Sequence, residues 1–122
     1  LWHVFEHINR PEDALATFYK SLKPGGVLVL AVPNAASWDA KHYKSFWAAY
    51  DVPRHRWHYN KHAISLLGRK AGFELLNTKN MYWDAFYISL LSEQYRNAKA
   101  PWVNALCKGL FANLKGWQTT NT

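Results

Sequence analysis

Leu22-Lys23-Pro24-Gly25-Gly26-Val27-Leu28-Val29-Leu30-Ala31-Val32-Pro33-Asn34 is the stretch whose reading decides the fold. Leu22 closes an amphipathic segment, Pro24 forbids further helix, and Gly25 and Gly26 give the backbone freedom for a tight turn. The six apolar residues 27–32 offer no polar alternation for a wet face. That pattern predicts a strand covered on both sides, as in a parallel α/β sheet. In open sheets of this kind ligands lie beyond the carboxyl ends of the strands, so Pro33, Asn34 and the residues after them are expected to border a binding crevice.

Outward from this strand, residues 1–8 read as the end of a strand passing into a loop. Arg10-Pro11-Glu12-Asp13 then starts a helix over 11–22, with Pro at its first position, two acids at the positive end of its dipole, and Leu15, Phe18 and Leu22 facing inward. Residues 35–59 are rich in Trp, Tyr, His and Lys without a clean period, although 38–50 has room for a short helix. Such a length predicts a lid or specificity loop. Asn60 is placed to cap a helix over 61–71 that stops at Gly72, and 73–79 follow as a strand. Residues 84–95 read as helix. So do 101–114, where Val103, Leu106, Cys107, Leu110, Phe111 and Leu114 recur at three-and-four spacing and predict a buried stripe. From Gly116 onward the chain is polar and is expected to fray.

A length of 122 residues with 49% hydrophobic content suits one globular unit over 1–122. No apolar run approaches the roughly 20 residues of a spanning helix, and no basic-then-apolar leader is visible. A cytoplasmic protein with no membrane partner is the expectation. The single Cys107 falls in the apolar stripe of 101–114 and is expected to be a small buried hydrophobe. The net charge of +7 is uneven: seven Lys or Arg stand between Lys41 and Lys70 against Asp51 alone, and no acid follows Glu93.

His3-Val4-Phe5-Glu6-His7 matches the H-x-x-E-H pattern of inverted zinc peptidases, but that chemistry needs the motif inside a stable helix, and Pro11 follows too closely. The same residues fit better in a longer order. Trp2 to Ile8, a Pro-started helix, Leu-Lys-Pro-Gly-Gly, an apolar run ending Val32-Pro33-Asn34, Asp51-Val52-Pro53-Arg54-His55 and Ala71-Gly72-Phe73-Glu74 occur in one sequence. This set resembles the C-terminal half of a class I S-adenosylmethionine-dependent methyltransferase, of the group similar to the ubiquinone-biosynthesis O-methyltransferases.

The resemblance implies an α/β fold: the C-terminal half of a doubly wound Rossmann-like sheet with extra C-terminal helices. Residues 1–4, 27–32 and 73–79 would be its fourth, fifth and sixth strands, and 1–122 a partial domain. The glycine-rich cofactor loop and the acid that holds the ribose would lie upstream of Leu1; none of the six glycines makes G-x-G. The cofactor implied is S-adenosylmethionine, with Trp2, His3 and Val4 beside its methionine portion. Glu6 and His7 match the Glu-His pair of the family's L-E-H segment, with Phe5 in place of Leu, and would orient the loop. In the small-RNA terminal methyltransferases carboxylates and His at this position hold a divalent ion. Glu6, His7 and His55 would be the matching ligands, but His3 stands where those enzymes have another acid, and no metal is assigned.

Arg54, His55, Trp57, His58 and Tyr59 gather donors, imidazoles and flat apolar faces in a few residues. Methyl transfer to a hydroxyl or amine needs an aligned nucleophile and a proton acceptor, which an imidazole supplies near neutral pH. His55 and His58 are therefore the candidate catalytic residues, and Asn34, Arg54, Trp57 and Tyr59 the candidate substrate-binding ones. The reading is transfer of a methyl group to a hydroxyl, amine or carbon of a small molecule. The alternative is a basic, aromatic-rich module over 41–70 that holds nucleic acid or another polyanion, against which stands the lack of a nucleic-acid-binding motif. The acceptor and the oligomeric state are not written in the sequence.

Overall fold

The computed structural model describes the backbone of residues 1–120 and the side chains of 1–115. Among the described residues five helices are present: α1 (Pro11–Ser21), α2 (Trp38–Tyr43), α3 (Lys61–Lys70), α4 (Tyr82–Tyr95) and α5 (Pro101–Thr120), with single 3-10 turns at Phe5–His7, Lys44–Phe46 and Ala48–Tyr50. The described residues group into two compact units, each built from two chain segments. One comprises Leu1–Asn34 and Val52–Asn77, the other Ala35–Asp51 and Thr78–Thr122. The aromatic stretch 35–59 is thereby divided between them.

In the first unit the helix signals act as read. Pro11 occupies the first turn of α1 and Arg10 pairs with Asp13 at 2.6 Å. The Asn60 side chain accepts the Ala63 N–H at 2.8 Å and caps α3. α3 ends where Gly72 takes φ +96°, and a Cβ there would meet the Tyr19 ring of α1 at 2.9 Å, so the glycine serves both the turn and the packing. Phe5, Leu15 and Tyr59 form the core, joined by Phe18, Leu28, Leu30, Ile64 and Leu67.

The expected sheet is absent. Among the described residues the protein is 57% helical and 3% strand, and the bridges are two isolated parallel ones, Trp2 with Ala31 and Asn34 with Tyr59. The apolar run 27–32 is extended but paired only with the start of the chain: Leu1 N donates to Val29 O at 2.7 Å, Ala31 N to Leu1 O at 2.9 Å and His3 N to Ala31 O at 3.0 Å. A strand exists through its neighbours, and a pairing this short does not make a sheet. Nor is the run covered on both sides: Leu28, Leu30 and Val32 pack against the core while Val27 and Val29 are 61% and 63% exposed. Residues 73–79 form no bridge either. The α/β Rossmann-like reading is therefore corrected to a helical architecture with extended connections.

In the second unit Ser37 caps α2 by accepting the Ala40 N–H at 3.3 Å, and the buried Asp39 carboxylate accepts the Trp47 indole N–H at 2.8 Å. Ala40, Tyr43, Trp47 and Ala49 are its core, with Ile88 of α4 against them. Ser92 Oγ ties α4 to the 3-10 turn, accepting the Ala48 N–H at 2.9 Å while donating to Ile88 O at 2.7 Å. α4 and α5 form a hairpin in which Gly109 sits directly on the Phe86 ring and leaves no room for a Cβ.

The stripe predicted for α5 is inverted. Ala105, Gly109 and Ala112 face inward, whereas Val103, Leu106, Leu110, Phe111 and Leu114 are exposed, and so is Cys107, which is not a buried hydrophobe. The period was right and the buried face was not, because small residues let α5 approach α4 closely. α5 also continues to Thr120, past the expected fraying point at Gly116; Asn121 and Thr122 lie outside the described residues.

Candidate functional site

In the first unit the 3-10 turn Phe5–His7 is pinned by Phe5, which is fully buried and stacks on the Tyr59 ring at 5.2 Å between centroids. Burying Phe5 carries its neighbour Glu6 inward, where it is 1% exposed. A second segment, 54–57, is laced to this turn through backbone groups. Arg56 N and Trp57 N both donate to Glu6 O at 3.0 and 3.3 Å, the Trp57 indole donates to Ile8 O at 2.8 Å, and His7 Nδ1 lies 3.0 Å from Arg54 O. A carbonyl only accepts, so this last bond places the His7 proton on Nδ1.

The lacing brings three imidazoles to one carboxylate. His3 Nδ1 lies 3.5 Å and His55 Nε2 3.8 Å from Glu6 Oε1, and the His7 and His55 rings meet edge to face at 4.8 Å. Neither Glu6 oxygen receives a hydrogen bond from the described residues. A buried carboxylate in that condition is costly unless positive charge or a strong donor compensates it. Glu6, His7 and His55 each offer one ligand atom, all within 4.8 Å of one another. One carboxylate oxygen and two imidazole nitrogens suit divalent cations of intermediate softness. Beside them the Tyr59 hydroxyl is buried without a hydrogen-bond partner among the described residues, and burial, followed by the Glu6 charge, pushes its pKa up to about 12.

Of the residues singled out in the sequence, His3, Glu6, His7, Arg54, His55, Trp57 and Tyr59 are thus joined in one cluster. Trp2, His3 and Val4 are exposed on the short run paired with Ala31. Asn34 is exposed and bridges to Tyr59, and His58 is exposed just after the laced segment.

The second unit holds a polar cluster that the sequence reading missed. Glu93 of α4, 1% exposed, accepts from Lys108 Nζ at 2.6 Å and from Asn104 Nδ2 at 3.3 Å, both on α5. Burial opposes its ionisation, yet Lys108, the Tyr43 hydroxyl and Asn104 together hold its carboxyl below the usual range. The same burial drives the Tyr43 phenol well above its ordinary value and, with Lys108 and Arg96, lowers His42. A signal was present: Ser89, Ser92 and Glu93 fall on one side of a helix at three-and-four spacing.

Comparison with protein families gives a match to a model described as a methyltransferase domain over residues 1–78, which takes in every residue of the Glu6 cluster. No curated protein and no solved structure matches the chain.

Proposed function

Because this chain belongs to the methyltransferase-domain family, we propose that it serves transfer of a methyl group from S-adenosylmethionine to a hydroxyl, amine or carbon of a small-molecule acceptor in the cytoplasm. The observation that carries the reading is the family match over 1–78, within which the Glu6, His7 and His55 side chains converge. The order Phe5-Glu6-His7 followed by Arg54-His55 favours the group similar to the ubiquinone-biosynthesis O-methyltransferases.

S-adenosylmethionine supplies an electrophilic methyl group on a sulfonium. Trp2 and Val4 are exposed and the His3 backbone is held by Ala31, so the three residues are assigned as one wall beside the methionine portion. Arg54, Trp57 and Asn34 are assigned to the acceptor, while Tyr59, 4% exposed, belongs to the core under Phe5. His55 takes the acceptor's proton, with the Glu6 carboxylate at 3.8 Å stabilising the imidazolium so formed; His58 is the second candidate for that task.

The test is methyl transfer from a radiolabelled donor to a panel of phenolic and amine acceptors. His55→Ala is expected to lower kcat by roughly 10² to 10⁴ and remove the low-pH limb of the rate profile, with donor affinity unchanged. Unchanged kinetics with a lowered Tm reduces His55 to a packing residue. Polyanion binding, the competing reading, would instead weaken steeply with salt.

A second reading of the cluster is favoured by the unbonded, buried Glu6 carboxylate: a divalent cation held by Glu6, His7 and His55 to position the acceptor oxygen. The two readings compete for His55. Activity that survives exhaustive chelation, with no metal by elemental analysis, keeps His55 as the base; activity lost and restored by added Mn²⁺ or Zn²⁺ assigns the cluster to the cation.

A further inference from the structure

The α4–α5 hairpin is built inside out. Its buried positions carry Ser89, Ser92, Glu93 and Ala105, with Asn104 and Lys108 bonded to Glu93, while Trp83 of α4 is 84% exposed and Leu106 of α5 66%. On α5 the residues Trp102, Val103, Leu106, Leu110 and Leu114 recur at three-and-four spacing and form one exposed apolar stripe over three turns. Aliphatic stripes of this extent are rare on a free surface and mark a contact.

Charge selects the contact. In this unit Lys41, Lys44, Lys79, Arg96, Lys99 and Lys115 are exposed, whereas Asp39 and Glu93 are buried and Asp51 and Asp84 half-buried, so none of the unit's described carboxylates is exposed. A second copy would set cations against cations. A nucleic acid would match the cations but gain nothing from leucines. An anionic lipid surface uses both: the leucines enter the acyl boundary, Trp102 sits at headgroup level and the lysines meet lipid phosphates. Among the described residues no helix is long and apolar enough to cross a membrane. The expectation of no membrane partner rested on that same absence, which says nothing about a helix lying in the surface.

We propose that the outer face of α5 docks the protein on an anionic lipid bilayer surface. The proposal is independent of the methyl-transfer reading.

The test is co-sedimentation of the full 122-residue chain with phosphatidylcholine vesicles, with and without a minority of phosphatidylglycerol, at about 0.1 M salt. Partitioning is expected onto the phosphatidylglycerol vesicles, weakened at least tenfold by Leu106→Glu/Leu110→Glu and about tenfold by Lys99→Glu/Lys115→Glu. Circular dichroism confirms that the variants keep their helices, and Leu106→Gln/Leu110→Gln gives the milder replacement if the glutamates do not. Failure to partition overturns the proposal, as does equal partitioning onto neutral vesicles or partitioning indifferent to the leucine changes. A dimer dissolved by Leu106→Glu/Leu110→Glu would assign the stripe to a second copy. Tighter binding to a single-stranded oligonucleotide, lost only with the lysines, would assign the cations to nucleic acid.

Discussion

Glu6 shows how one apolar neighbour decides the burial of a carboxylate. Phe5 fills the core beneath Tyr59, and the next side chain is carried in with it, away from solvent and without a hydrogen bond from the described residues. Such a group costs stability and repays it only through what it organises, here the imidazoles of His3, His7 and His55. Replacing it by the isosteric amide removes the buried charge and supplies donors. Glu6→Gln is therefore expected to raise stability by about 1 kcal/mol in urea titrations while lowering methyl transfer at least tenfold. A variant that is both less stable and fully active would make Glu6 a structural acid. The Glu-His pair was legible in the sequence, but its burial was not, because nothing local says that Phe5 points inward.

At the scale of elements, the helices were written plainly. Pro11 with its acids, Asn60 before α3 and Gly72 after it act within one turn of where they stand, so local chemistry suffices to place them. The strand expectation failed because a strand requires partners at a distance, and 27–32 finds only the few residues at the start of the chain. The stripe on α5 failed differently: its spacing is helical, but the packed side is Ala105, Gly109 and Ala112. Gly109→Ala tests that packing. Helix propensity alone would gain about 1 kcal/mol, but the added Cβ runs into the body of the Phe86 ring, not a flexible tip. The expected net result is destabilisation of about 1 to 3 kcal/mol by urea unfolding, and stabilisation would show that α4 and α5 are more loosely packed.

For the whole molecule, acid sensitivity has an identifiable source in the buried Glu93–Lys108 pair. The Glu93 carboxyl is held below its ordinary value of 4.5 in the folded protein. Its contribution is therefore present above that value and is lost as pH falls through the lower folded one. Tm measured from pH 7 downward is expected to hold until about pH 4.5 and then fall, and the fall should be shallower in Glu93→Gln/Lys108→Met. Identical acid limbs would remove the pair from the account. The chain's charge of +7 and the positions of its helices were determined by the sequence alone, since composition is additive and caps act over a few residues. The methyltransferase resemblance, too, lay in an ordered set of short motifs. The division into two units, the missing sheet, the meeting of Glu6 with His55 and the outward turn of the α5 leucines were decided only in three dimensions. Each depends on contacts between residues far apart in the chain, and neither period nor propensity carries information about which distant surface a segment will find.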